Sequence, residues 1–231
     1  MLPLRDDQPR YSTPWVTGFL IGLNLLIFLF EAALDPRSLN LLIHQFGVVP
    51  YHLGVFLGGS SRYTLPEIVL PFFTSMFLHG SWMHVIGNMW FLFIFGDNVE
   101  DWLGHFKYLM FYLLTGLIAM MTQVAIDLHS TVPSIGASGA IAGVLGAYFV
   151  LYPRARVLMW FFIFVLWVPA WIVLGYWFVL NFLSGTQTAL AVQGHNVGGV
   201  AFWAHVGGFV SGALLVKVFG ERRLRYPYAT G

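Results

Sequence analysis

The chain has 231 residues, 58% of them hydrophobic and only 9% charged, with a formal net charge of +1 and no cysteine. About 25% of residues are charged in a soluble domain, so this composition places the chain in a membrane with lipid as its surroundings. The near-zero charge excludes the basic footprint of a nucleic-acid binder, and the missing thiols exclude disulfides, cysteine nucleophiles and thiolate metal sites.

Residues 1–14 carry Arg5, Asp6, Asp7 and Arg10 and read as a short cytoplasmic N-terminus. The apolar run 15–34 is about one span long and lacks a small-residue cleavage site, so it reads as a retained helix and not as a signal peptide. Further apolar runs follow at 82–96, 106–127, 138–152, 157–183 and 199–219. Continuous apolar segments in lipid are read as helices, since a helix satisfies its own backbone groups. The expected fold class is therefore an all-α polytopic membrane protein: one domain of six transmembrane helices over 15–219, and a short cytoplasmic tail at 220–231.

The basic residues agree with an even number of spans. With both termini in the cytoplasm, Arg5, Arg10, Lys107, Arg154, Arg156, Lys217, Arg222, Arg223 and Arg225 fall on the inner side. Arg37 and Arg62 alone fall outside, the asymmetry expected of a correct topology. Two outer loops result. The first, 35–81, is rich in Phe, Leu, Val, Tyr and Pro and is expected to lie partly in the interface. The second, 184–198, holds Ser184, Gly185, Gln193, Gly194, His195 and Asn196, and its composition suggests a flexible lid.

The fourth helix is short. From Ser138 to the stop at Tyr152 and Pro153 it reaches roughly 22 Å at about 1.5 Å per residue, against a hydrocarbon core about 30 Å thick. With Arg154 and Arg156 at the inner face, its other end lies below the outer membrane surface, and 130–137 must enter the membrane as irregular backbone. Such backbone is tolerated only where protein or a water-filled cavity covers it. In the sixth helix His205 lies fifteen residues before Gly220, as Ser138 lies fifteen before Pro153. The two share a depth. His84 falls near that depth on the second helix, taken to end near Asp97, with Asn88 one turn deeper on the same face.

Glycine spacing indicates which helices touch. Gly139, Gly143 and Gly146 form a strip on the fourth helix, and His205, Gly208 and Gly212 share a face of the sixth. Small residues four apart permit close approach in membranes, which a Ser oxygen and an imidazole need to come within about 3 Å. A lone serine or histidine in a membrane helix is more often a packing residue. Ser, His, His and Asn at matched depth around an enforced cavity are functional candidates.

Other polar residues have simpler readings. His79, Gly80 and Ser81 cap or anchor the second helix, Glu100, Gly104 and Phe106 shape an inner turn, and Asp127 is an exposed helix end. His195 and Asn196 are loop surface, while Trp160, Trp167, Trp171 and Trp177 are lipid-facing or interfacial bulk.

His84 and Asn88 in HGSWMHVIGNM, Gly136-Ala137-Ser138-Gly139 opening a helix, and Ala204-His205-x-Gly207-Gly208 in the last helix together resemble the rhomboid proteases. The stretch EDWLGHFKYLMFYLLTG is similar to that family's turn and third helix. The resemblance covers the six-helix core and implies cleavage of single-pass membrane proteins in or near their transmembrane helix. It implies Ser138 as nucleophile and His205 as base, with an oxyanion hole built from the amides of Ala137 and Ser138 and the side chains of His84 and Asn88. It implies sideways access for a substrate helix past flexible loops and the fifth helix. No metal, no other cofactor and no nucleic-acid partner is implied; the partners are transmembrane-helix substrates and lipid. No carboxylate in the expected spans is placed to orient the imidazole. Some rhomboids place a Tyr one turn after the nucleophile to pack on the base; Ala142 stands there, so another contact must hold His205.

Other readings are a catalytically silent rhomboid-like protein that binds membrane clients, and a small transporter or channel. The first would lack the Ser and His that are present; the second would show paired charges or broken helices at midplane. A metalloprotease is disfavoured because no His-Glu-x-x-His helix exists. The bare core favours a bacterial inner membrane, with the site opening to the outer side.

Overall fold

The computed structural model describes residues 2–191 and 201–220. The chain runs through strand β1 (Leu2–Asp6), helices α1 (Trp15–Ala32), α2 (Pro36–Phe46), α3 (Pro50–Leu57) and α4 (Leu65–Thr74), and a 3-10 turn at Ser75–Phe77. It continues through α5 (Trp82–Leu103), α6 (His105–Ile126), α7 (Ser138–Leu151), strands β2 (Arg156–Phe161) and β3 (Phe164–Pro169), α8 (Ala170–Ala191) and α9 (Phe202–Phe219). Among the described residues α1, α6 and α9 are each long and apolar enough to cross a membrane. Helices α5 and α8 have 22 residues each, whereas α7 has only 14, about 21 Å at ~1.5 Å per residue.

Two expectations are corrected. The first half of the run 157–183 is a hairpin, not a helix: Val157 pairs with Val168, Met159 with Leu166 and Phe161 with Phe164. Its tip is Phe162 and Ile163, with Phe162 at φ 51. Strand β1 pairs antiparallel with β2, Leu2 opposite Trp160 and Asp6 opposite Val157, so a three-stranded sheet sits in an otherwise helical protein. The valines and aromatic residues of RVLMWF and FVLWVP suit a pleated strand, and Pro169, with no N–H to donate, marks where the helix can begin. Trp160 and Trp167 are thus sheet residues, and the Arg5 guanidinium lies 5.6 Å from the Trp167 ring centroid.

Helix α5 also continues beyond 96 to Leu103. Its acidic end is a buried acceptor cluster. Glu100 is fully buried and accepts from Val16 N at 2.9 Å, Thr17 N at 2.8 Å and Thr17 Oγ1 at 2.7 Å, closing the exposed donors that start α1. The same carboxylate meets His105 Nδ1 at 2.6 Å across the sharp turn at Gly104, whose φ of 77 favours glycine. Glu100 therefore ties α1, α5 and α6 together at one end, beyond the turn-shaping role expected of it.

The segment 35–81, expected as an outer loop, contains helices α2 to α4, and it supports the irregular backbone ahead of α7. Val48 and Ser134 exchange backbone hydrogen bonds at 3.1 and 2.8 Å, Tyr51 N donates to Ser130 O at 2.9 Å, and Gly136 N donates to Ser75 O at 2.8 Å. The non-helical stretch thus has protein partners for its polar groups, as backbone at membrane depth requires.

Helix α7 is buried continuously from Gly139 to Tyr148. It meets α9 backbone to backbone: a Cβ on Gly208 would lie 2.1 Å from Gly139 O, one on Gly212 1.9 Å from Gly143 O, and one on Gly146 2.0 Å from Phe209 O. Helix α6 closes the opposite side, where a Cβ on Gly143 would fall 2.3 Å from Thr115 Oγ1. Gly212→Ala is therefore expected to lower stability by roughly 1–3 kcal/mol or more through overpacking. Gly22→Ala, where a Cβ meets nothing within 4 Å, serves as the neutral control. Thermal unfolding of both variants in detergent measures the contrast.

Candidate active site

Ser138 is the first residue of α7, with fully buried Ala137 as its N-cap. The first N–H groups of a helix have no intrahelical acceptor, so Ser138 stands beside free donors at the positive end of the helix dipole. His205 lies in the first turn of α9 and is buried. That turn is fixed from α6, where Gln123 Oε1 accepts from Ala204 N at 3.2 Å. Across the glycine contact His205 Nε2 lies 2.7 Å from Ser138 Oγ. The shared depth expected from helix lengths is thus a direct hydrogen bond.

His84 enters from α5, where Ser81 caps the helix by accepting from His84 N at 3.2 Å. A Cβ on Gly136 would fall 2.8 Å from both Cε1 and Nε2 of His84 and 3.7 Å from Ser138 Oγ. The two side chains therefore flank one point, and only a residue without a Cβ fits between them. Gly136 also has a φ of 122, which favours glycine.

Asn88, one turn further along α5, is buried, and its Nδ2 lies 3.0 Å from His79 Nε2. His79 packs edge-on to His84, with ring centroids 5.0 Å apart. Its backbone N–H donates to both carboxylate oxygens of Glu31, at 3.3 and 3.1 Å. His79 is thus more than an anchor for α5: it links Glu31 of α1 to Asn88. Sequence reading passed over Glu31, although an acidic residue inside an apolar span is itself a signal.

The contact that Ala142 leaves open is supplied by α8. Asn181 Oδ1 lies 2.6 Å from His205 Nδ1, and the Trp177 ring lies against the imidazole at 5.5 Å between centroids, tilted by 37°. Trp177 is therefore not lipid-facing bulk. Trp171 is exposed, as expected. Ser184 and Gly185, expected in a loop, belong to α8, while Gln193, Gly194, His195, Asn196, Arg222, Arg223 and Arg225 lie outside the described residues. Among the described residues no group of three or more His, Cys, Asp or Glu could hold a metal ion.

The Rhomboid domain profile matches residues 66–222, a span that includes Ser138, His205, His84, Asn88 and Asn181. The chain belongs to the rhomboid family and is a membrane protein. It is 31% identical over 155 residues to the Rhomboid-like protein 11, chloroplastic, of Arabidopsis thaliana, covering 65% of this chain and 52% of that protein. It is 30% identical over 165 residues to the Rhomboid protein 1, mitochondrial, of Saccharomyces cerevisiae, covering 68% and 45%. Over 225 residues it is 26% identical to the RHOMBOID-like protein 1 of Arabidopsis thaliana, covering 89% and 53%. The chain thus spans about half the length of these curated relatives. Two of the three names are organellar, so the comparisons lend no support to a bacterial inner membrane.

Replacing Gly136 by Ala is expected to push the His84 ring away from Ser138 and to cost about 1–2 kcal/mol of backbone strain. A structure of Gly136→Ala with His84 unmoved, together with unchanged thermal stability, would count against this account.

Proposed function

We propose that the chain is a serine endopeptidase that cleaves single-pass membrane proteins in or near their transmembrane helix. The observation that carries this reading is the 2.7 Å hydrogen bond between Ser138 Oγ and His205 Nε2 at the start of two helices locked together by glycine. A serine hydroxyl is a weak nucleophile until an adjacent base takes its proton. In the proposed reaction Ser138 Oγ attacks the scissile carbonyl carbon while its proton passes to His205 Nε2. The tetrahedral oxyanion forms beside the amides of Ala137 and Ser138, with His84 and Asn88 completing the set of donors. Asn88 has one amide hydrogen directed to His79 and a second to give.

Collapse of the tetrahedral species breaks the peptide C–N bond, and His205 returns the proton to the departing amine. A water then hydrolyses the acyl-enzyme by the same base. Each oxyanion donor lost in such a site costs about 10²–10³ in rate.

The topology proposed with this activity has six helices crossing the membrane as one domain over 15–219, flanked by 1–14 and 220–231 on the cytoplasmic side, and the site opening outward. Its support is the gathering of Arg5, Arg10, Lys107, Arg154, Arg156 and Lys217 at one end of the bundle, where Lys107 Nζ donates to Phe219 O at 2.8 Å.

Ser138→Ala and His205→Ala are each expected to abolish cleavage of a single-span test substrate by the purified chain in detergent or bicelles. A fluorophosphonate probe should label the unaltered chain and fail on Ser138→Ala. Cleavage persisting in either variant would refute the dyad.

A further inference from the structure

The geometry points to Asn181 as the residue that sets the tautomer and orientation of the His205 base, completing a Ser–His–Asn arrangement across α7, α9 and α8. This rests on the reading of Ser138 as nucleophile and adds a third member to the expected pair.

Hydrogen-bond direction carries the argument. Asn181 Nδ2 lies 2.8 Å from the Trp177 carbonyl oxygen one turn earlier in α8. A carbonyl can only accept, so the Nδ2 side of the amide faces Trp177 and the Oδ1 side faces His205. At 2.6 Å from His205 Nδ1, Oδ1 can in turn only accept. The imidazole proton is therefore held on Nδ1, which leaves the Nε2 lone pair for the Ser138 hydroxyl proton at 2.7 Å. The opposite amide orientation would donate to Nδ1, put the ring proton on Nε2 and leave no base facing the serine. The backbone of α8 thus chooses the productive tautomer, a choice that the orienting group makes in serine proteases generally.

The site is built for this. Asn181 and His205 are both nearly buried, at 8% exposure each, so water does not compete freely for Nδ1. The Trp177 ring, from the same turn of α8 as the carbonyl that fixes the amide, covers the imidazole. Asn181 touches no reacting atom and is a positioning residue. A neutral amide accepts from the imidazolium without adding a buried charge inside the bundle, where an unpaired carboxylate is costly.

The purified chain carrying Asn181→Leu or Asn181→Asp tests the assignment by cleavage of the single-span substrate and by the rate of fluorophosphonate labelling at Ser138. Asn181→Leu should lower kcat by about tenfold to a hundredfold, part of the 10²–10⁴ that general base catalysis supplies, with KM unchanged and labelling slowed in parallel. Asn181→Asp keeps an acceptor and adds a charge within about 4–6 Å of the imidazole. It should label faster than the leucine variant and move the acid limb of the kcat/KM profile to higher pH by about one unit or more. Among the described residues His84 is the ionisable group that acts on His205, and it is the same in every variant.

Labelling of both variants at the unaltered rate with an unchanged pH profile overturns the positioning role while leaving the dyad standing. Absence of Ser138-dependent labelling in the unaltered chain overturns the dyad, and this inference with it. Should Asn181→Leu fail to fold, Asn181→Ala, which removes the acceptor without adding bulk, decides: labelling at the unaltered rate overturns the positioning role, and slowed labelling at unchanged KM supports it.

Discussion

The contact on which the rest of the molecule depends is the backbone approach of α7 to α9. Lipid gives helices little hydrophobic reason to associate, so van der Waals packing must supply it. Here Gly208 lies against the Gly139 carbonyl and Gly212 against the Gly143 carbonyl, each too near for a Cβ. Two pairs four residues apart define one register. Slippage by a turn moves one helix about 5.4 Å along the other and brings a side chain against a carbonyl. Ser138 is adjacent to the first pair, and His205 is one turn ahead of it. The register that permits packing is also the one that closes the 2.7 Å bond between Oγ and Nε2.

Around this rigid pair the protein invests its buried polar groups at the two ends of the bundle. At one end Glu100 gathers the start of α1 and the turn into α6. At the other Glu31 holds the His79 backbone while the His79 ring meets Asn88. Both carboxylates sit where apolar surroundings make an unsatisfied acceptor expensive, so each fixes the elements it joins. The second network places α5 against α1 and thereby sets the depth at which His84 meets Ser138. The segment from α2 to the 3-10 turn contributes differently: it hydrogen-bonds the irregular backbone ahead of α7 and so fixes where that helix starts.

How much of this was legible follows from what each residue reports. Helix length measured from charged inner ends gave Ser138 and His205 a common depth, because membrane thickness turns residue counts into distances. Glycine spacing identified the touching faces for a similar reason: only a missing Cβ permits the approach. The hairpin at 156–169 was hidden because a short apolar run has no periodicity that separates strand from helix. Its 27-residue parent run, 157–183, exceeded the ~20 residues of a span, and Pro169 marked the division. The continuation of α5 past 96 was hidden because Asp97, Glu100 and Asp101 mark the end of an apolar run, not the end of backbone hydrogen bonding. Asn181 was visible as an amide in the apolar sequence WIVLGYWFVLNFL, but its partner could be named only when the crossing of α8 and α9 was known.

That crossing joins two properties that sequence reading treats separately. The imidazole of His205 is bounded on Nε2 by α7, on Nδ1 by Asn181 of α8, and across its face by Trp177 of α8. Helices α7 and α9 are locked by backbone contact, whereas α8 meets its neighbours through side chains: a Cβ on Gly175 would lie 3.9 Å from Phe149 Cε2 of α7, and one on Gly185 3.2 Å from the Trp203 ring of α9. A shift of α8 of about 1 Å therefore lengthens the bond at Nδ1 beyond hydrogen-bonding range while leaving the serine and the glycine register undisturbed. The alignment of the base and the position of α8 are consequently one variable, and the nucleophile's frame is another.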